Sequence, residues 1–240
     1  KDIHEFPRIL KEAVHLAGTG RKGPVLLDLP KDLQVEEGEF DYPQEVDISS
    51  YKPTYEGHSG QIMRAAAAIK KAYQPVLYAG GGVISSGAHA ELLALSQKGA
   101  IPVTTTLTGL GGVPTEYALF LGMLGMHGTY AANNAVHHAD LLIAVGARFD
   151  DRVTGKIDTF APGARVIHID IDPAEIGKNV LADIPIVGDV KLVLQEILKR
   201  LRPGDTREWC DRVLHWKKDY PLSYQQKDDH CLKPQFVIEE

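Results

Sequence analysis

The run Leu141-Leu142-Ile143-Ala144-Val145 is apolar at every position and breaks at Gly146; after Ala147 comes Arg148-Phe149-Asp150-Asp151-Arg152, in which four of five residues are charged. A strand wetted on one side alternates apolar and polar residues, so the unbroken run predicts a strand covered on both faces, as in a parallel sheet. In open α/β sheets ligands bind just beyond the carboxyl ends of the strands. Two guanidiniums set among carboxylates and a glycine suit a phosphate-bearing ligand. A strand followed by a solvated turn would give the same local pattern, so the other strand ends carry the decision.

Those ends repeat the theme. Val76-Leu77-Tyr78-Ala79 reads as a strand running into Gly80-Gly81-Gly82, followed by a helix near Ala88 to Gln97. Ile101 to Thr106 reads as a strand ending in Thr108-Gly109-Leu110-Gly111-Gly112, and a helix over Ala131 to His138 leads into the Leu141 strand. Val166 to Asp172 and Ile184 to Asp189 complete the strands, with helices over Val190 to Leu201 and Thr206 to Lys218. Before them, His58-Ser59 offers an N-cap for a helix to Tyr73 that places Ile62, Met63, Ala66 and Ile69 on one face. Alternating strands and helices with crossover-length connections imply a doubly wound parallel sheet, Rossmann-like, with strand ends near 79, 106, 146, 170 and 187 on one rim.

Upstream, apolar residues at helical spacing from Ile3 to Leu16 stop at Gly18-Thr19-Gly20, and Pro24 to Pro30 reads as a strand. Residues 31–57 combine acids and prolines with no sustained period, the composition of a linker. The expected organisation is therefore residues 1–30 as the tail of a preceding α/β domain, 31–57 as linker and 58–220 as the central α/β unit. Residues 221–240 read as a second linker and the start of another element, and both ends look cut from something larger.

Composition narrows the function. With 240 residues, 44% hydrophobic and 24% charged, the chain supports a sizeable core. A net charge of −6 with no basic run argues against nucleic-acid binding. Cys210 and Cys231 lack metal-ligand spacing and read as free thiols of a reducing, cytoplasmic setting. No apolar stretch of membrane-spanning length and no secretory layout is present, so no membrane role is expected. The histidines are scattered, and the adjacent His137 and His138 are expected to point to opposite sides of a helix, so no metal site is expected. Nucleophile-elbow, Walker and HExxH patterns are absent from the sequence.

Gly80, Gly81 and Gly82 fit either a tight structural turn or a phosphate approach to backbone N–H groups at a helix start. Asp170 could bind a ribose hydroxyl or an adenine amino group, or cap a helix starting near Pro173; Asp189 after Gly188 poses the same choice. In Leu121 to Gly128, three glycines among methionines suit a flat ring lying against backbone, or a gap-filling loop.

Three segments carry a family resemblance. Leu124-Gly125-Met126-His127-Gly128-Thr129, Gly146 through Gly155 and His168-Ile169-Asp170-Ile171-Asp172-Pro173 through Asn179 closely resemble the catalytic subunit of acetolactate synthase; Gly20-Arg21-Lys22-Gly23-Pro24-Val25 and Leu29-Pro30-Lys31-Asp32 resemble the end of its N-terminal domain. The resemblance runs over essentially the whole chain. It implies a central FAD-binding domain of a thiamine-diphosphate enzyme that joins two 2-keto acids with decarboxylation in branched-chain amino-acid biosynthesis, the FAD taking no net part in redox balance. By this similarity FAD contacts fall on Arg21, Gly80, Gly81, Gly82, Thr106, Leu107, Leu124, Gly125, Met126 and His127. Further ones fall on Gly146, Ala147, Arg148, Asp150, Arg152, Val153, Asp170, Ile171, Ile176, Asn179, Gly188, Asp189 and Val190. Lys31, Asp151 and Arg152 match positions bordering the active-site channel.

The similarity also implies thiamine diphosphate and Mg²⁺ in the parent enzyme, a homo-oligomer and a possible small regulatory subunit. The glutamate that activates thiamine diphosphate and the Gly-Asp-Gly…Asn segment that binds Mg²⁺ are not in this sequence; Gly188-Asp189-Val190 lacks the second glycine. No catalytic residue is therefore expected here, and the isolated chain is expected to be inactive. A glyoxylate carboligase-like enzyme, which shares fold and FAD, and a non-catalytic nucleotide-binding module are the alternatives.

Overall fold

Six strands, all parallel, form one sheet: β1 (Pro75–Ala79), β2 (Val103–Thr105), β3 (Phe120–Met123), β4 (Leu141–Val145), β5 (Arg165–Asp170) and β6 (Ile184–Val187), in the order β3-β2-β1-β4-β5-β6. The computed structural model describes residues 2–202, 204–226 and 231–240. Residue 1 of the expected first segment, 203 of the central unit and 227–230 of the last segment lie outside them.

The apolar runs are buried as their composition requires. Every residue of β1 and β4 is buried, and alternate side chains feed two separate cores. Leu77, Ile143, Val145, Ile167 and Ile169 pack under α3 (Ser59–Lys71), α5 (His89–Gly99) and α8 (Val190–Arg200). Val76, Tyr78, Leu142 and Ala144 pack under α6 (Tyr130–His138) and α9 (Arg207–Asp219), where Trp209 also donates its indole N–H to the Pro75 carbonyl at 3.0 Å. Helices thus cover both faces, and the strand order reverses between β1 and β4. That reversal opens a crevice, because the crossovers on its two sides leave on opposite faces of the sheet.

Several expectations are corrected. Pro24 to Pro30 is not a strand: it pairs with no neighbour among the described residues, and Leu26 is 90% exposed. A strand needs a ladder partner, and the sheet edges, β3 and β6, lie elsewhere. The linker contains a short helix, Lys31–Val35, and its far end is pinned where Tyr55 O accepts from Asp189 N at 2.8 Å. Phe120–Met123 is an edge strand, a role hidden by its short length and by glycines. The glycine turn opens directly into a six-residue helix, Gly81–Ser86, ahead of α5, and the α3 start at Ser59 uses no side-chain cap. Past Asp170 the chain makes turns instead of a helix near Pro173. His137 and His138 share one exposed side of α6, their rings 5.1 Å apart.

No helix among the described residues is long and apolar enough to cross a membrane. Cys210 is buried, Cys231 is exposed, and both are free.

Candidate functional site

A cavity of about 720 Å³ lies at the carboxyl ends of the strands, over the β1/β4 reversal. Its size falls within the range of about 300–1,000 Å³ usual for small-molecule and cofactor sites. Its walls come from the loops after β1, β2, β4, β5 and β6 together with Gly18 to Lys22 and Tyr55 of the N-terminal segment.

Two loops meet there backbone to backbone. A Cβ on Gly80 would lie 2.2 Å from the Gly146 carbonyl oxygen, and one on Gly82 would lie 2.6 Å from the Gly146 Cα, while Gly146 itself has φ +57°. Any side chain at these positions would drive the β1 and β4 loops apart. Gly80 N donates to Val145 O and Gly82 N to Gly146 O, at 2.9 and 3.0 Å. The glycines therefore make the close approach that leaves open space above them, and Gly81, between them, faces that space beside Thr108.

The charged loop after β4 is held by a residue that the sequence reading passed over. Phe149 has φ +53°, a left-handed conformation rare for a bulky residue. Its ring is 1% exposed and sits over the β1-β4-β5 row Tyr78, Ala144, His168: centroids are 5.5 Å from Tyr78 and 5.0 Å from His168, with the small Ala144 leaving room between them. Burying Phe149 turns its neighbours Arg148 and Asp150 outward to the cavity. His168 Nε2–H donates to the Ala147 carbonyl at 2.9 Å, and burial lowers its pKa, so the ring stays neutral at physiological pH. Asn179 Nδ2 donates to the Arg148 and Phe149 carbonyls, at 3.2 and 3.0 Å. A positive φ on an aromatic residue leaves no pattern in a sequence, which is why this anchor went unseen.

The Arg148 side chain makes no hydrogen bond or ion pair with any of the described residues, its backbone carbonyl being the group that Asn179 holds. Asp150 does not restrain it; its Oδ1 accepts from Arg152 N at 3.1 Å and so caps the short helix Asp151–Thr154, which lowers its pKa. Asp151 reaches Arg152 only at 3.7 Å, both side chains largely in water. The acids thus serve the local turn, and among the described residues the Arg148 guanidinium is left unpaired towards the cavity.

At the β5 end, Asp170 is 7% exposed and lines the cavity. Burial raises its pKa, partly offset because Oδ1 accepts from Asp172 N at 2.9 Å. Arg21 reaches across from the N-terminal segment to Asp172 at 2.9 Å and to the buried Glu175 at 2.7 Å. Lys22 Nζ donates to Ser85 O at 3.0 Å. These contacts, with Gly20 N donating to the Tyr55 hydroxyl at 3.2 Å, strap residues 20–22 along one side of the cavity. Sequence reasoning placed Arg21 here only by resemblance; the residues it pairs with were not singled out, since ion pairs distant in sequence have no local signal.

Of the expected contacts, Arg21, Gly80, Gly81, Gly82, Thr106, Leu107, Gly146, Ala147, Arg148, Asp150, Arg152, Val153, Asp170, Ile171, Asp189 and Val190 line this one cavity. Asp189 also caps α8 by accepting from Leu192 N at 3.2 Å. Leu124, Gly125, Met126, His127, Ile176, Asn179 and Gly188 do not line it. Gly125 packs against the Arg152–Val153 backbone, while Met126 is exposed and is tied there only through its N–H, which donates to Arg152 O at 2.9 Å; Gly188 packs against the linker at Tyr55 and Gly57. Lys31 and Asp151 are exposed and are not part of the wall. Among the described residues no group of three or more His, Cys, Asp or Glu is placed to hold a metal ion.

Residues 62–197 match the family model described as thiamine pyrophosphate enzyme, central domain. The chain belongs to this family. Relatives of the central-domain chain include the acetolactate synthase large subunit of Corynebacterium glutamicum, 48% identical over 98% of this chain and 38% of the relative. The acetolactate synthase of Mycobacterium leprae is 50% identical over 98% of this chain and 39% of the relative. The probable acetolactate synthase large subunit of Methanocaldococcus jannaschii is 50% identical over the whole of this chain and 42% of the relative. The chain thus spans about two fifths of the length of these relatives.

Proposed function

We propose that this chain is the flavin-binding central domain of an acetolactate synthase catalytic subunit, with FAD lying extended across the strand ends in the 720 Å³ cavity. The observation that carries the reading is the pairing of a side-chain-free floor, where Gly80, Gly82 and Gly146 touch backbone to backbone, with an unpaired guanidinium at Arg148. A diphosphate buried in a crevice needs both: backbone that lets it come close and a positive charge that compensates it. The acid at Asp170, at the end of β5, supplies an acceptor for a ribose or an amino group. The names of the relatives support the parent activity, condensation of two 2-keto acids. Thiamine diphosphate, when bound with Mg²⁺ by the parent enzyme, supplies the carbanion chemistry; the residues here position FAD and border the channel at Lys31, Asp151 and Arg152.

Titrating FAD into the flavin-free protein while following flavin fluorescence tests this reading. Saturable binding with a bound-flavin absorbance band is expected; no binding by a folded protein would refute it. We further propose that the 240 residues alone turn over no pyruvate even with FAD, thiamine diphosphate and Mg²⁺ supplied, a point that a direct acetolactate assay checks.

A further inference from the structure

The cavity wall contains a polar atom that the flavin reading has not used. Tyr78, the fourth residue of β1, has no exposed surface, yet its hydroxyl has no hydrogen-bond partner among the described residues. Buried tyrosine hydroxyls almost always have one. The ring itself is explained, since it packs against Phe149 in the second core. Other buried side-chain atoms are orphaned too: Ser86 Oγ, at the end of the Gly81–Ser86 helix, also borders the cavity, whereas Thr105 Oγ1 and His168 Nδ1 belong to residues that do not line it. Tyr78 does, and the charged groups acting on its hydroxyl are Asp150 and Arg148, the residues flanking Phe149. Burial pushes its pKa far up, so the group keeps its proton and remains a donor. Asp150 turns its Oδ1 to Arg152 N and accepts nothing from the Tyr78 hydroxyl, so among the described residues no acceptor is supplied and a ligand can bring one.

We infer that the Tyr78 hydroxyl is a ligand-binding group of the cavity, donating a hydrogen bond to a phosphate oxygen of the diphosphate attracted by Arg148. The inference rests on the dinucleotide reading above and adds a contact that neither glycine pattern nor family resemblance assigns. Tyr78 is a binding residue on this account, with its ring serving the core and its oxygen serving the ligand.

The test uses Tyr78→Phe, which deletes one oxygen and keeps the ring. FAD affinity is measured by fluorescence titration, ADP affinity by competition against FAD, and the melting temperature on flavin-free protein. Affinities for FAD and ADP are expected to fall together by roughly five- to tenfold, the worth of one hydrogen bond. The flavin-free melting temperature is expected to hold or rise, because an unsatisfied polar atom has been removed. Unchanged FAD affinity would overturn the inference and leave the dinucleotide reading standing, as would a loss for FAD without one for ADP. Weaker binding accompanied by a lower melting temperature would assign the effect to packing and overturn it as well. Wild-type protein that binds neither FAD nor ADP would overturn the dinucleotide reading, and this inference with it.

Discussion

The loops after β1 and β4 meet at the same point of the sheet and solve opposite problems. The β1 loop contributes glycines that contact the other loop through backbone alone, so its sequence is dictated by space. The β4 loop contributes charge, and it can do so because one of its residues, Phe149, is driven into the core in a left-handed conformation while its neighbours are turned out. Stability and binding are therefore separated along the chain. Residues that hold the loops (Gly80, Gly82, Gly146, Phe149) bring no polar side chain to a ligand, whereas the Arg148 side chain, free to meet one, holds neither loop.

The strongest test of this separation is Phe149→Ala, which empties a fully packed slot and is expected to cost about 3–5 kcal/mol of stability; denaturant unfolding would show it. A loss under 1 kcal/mol would mean that Ala144, Tyr78 and His168 do not form the slot described. Gly80→Ala comes next, at about 1–3 kcal/mol or more, because the added methyl meets a carbonyl oxygen at 2.2 Å and the backbone has to shift. Arg148→Ala is expected to leave unfolding unchanged and to weaken FAD by roughly ten- to a hundredfold, since about 1.4 kcal/mol is one decade. Equal affinities in well-folded proteins would reduce the charged loop to a solvated turn. Arg21→Ala should have the smallest effect, at most about 1 kcal/mol, as its side chain is half in water.

The β5 end extends the comparison to pH. Asp172 is held below its ordinary 3.8 chiefly by the hydrogen bond from Arg21. An acid with a lowered folded pKa stabilises the fold above its unfolded value, and this stability is lost as the pH falls through the folded value. Asp170 is held above 3.8 by burial. Its carboxylate costs stability once the pH exceeds the unfolded value, the full cost being reached above the folded one, and acidification removes that cost. Asp170→Asn should therefore raise flavin-free stability at neutral pH and converge with wild type in acid, whereas Asp172→Asn should lower it at neutral pH and also converge. Melting temperatures across that range would show curves of opposite sign, and parallel curves would contradict the assignment.

Much of this was legible in the linear chain. The strands at Val76 and Leu141 announce themselves because burial on both faces demands unbroken apolar runs, and the glycines and charges that follow mark the rim. The helices over 59–71, 190–200 and 207–219 follow from their apolar periodicity. What failed was either too short or dependent on partners. Pro24 to Pro30 has the composition of a strand, but a strand exists only where a neighbour offers a ladder. Phe120–Met123 gains strand geometry only by pairing with β2.

By itself, then, the sequence determined which segments are buried, where strands stop, and which polar residues gather near the stops, because burial and backbone freedom are local demands written in residue type. Only the tertiary structure decided what those polar residues do. The strand order set β1 beside β4 and so made the glycines a contact between two loops; the slot over Ala144 bent Phe149 and freed Arg148; and Arg21 found Glu175 across 154 residues of chain. Such pairings depend on distances that only the closed sheet creates.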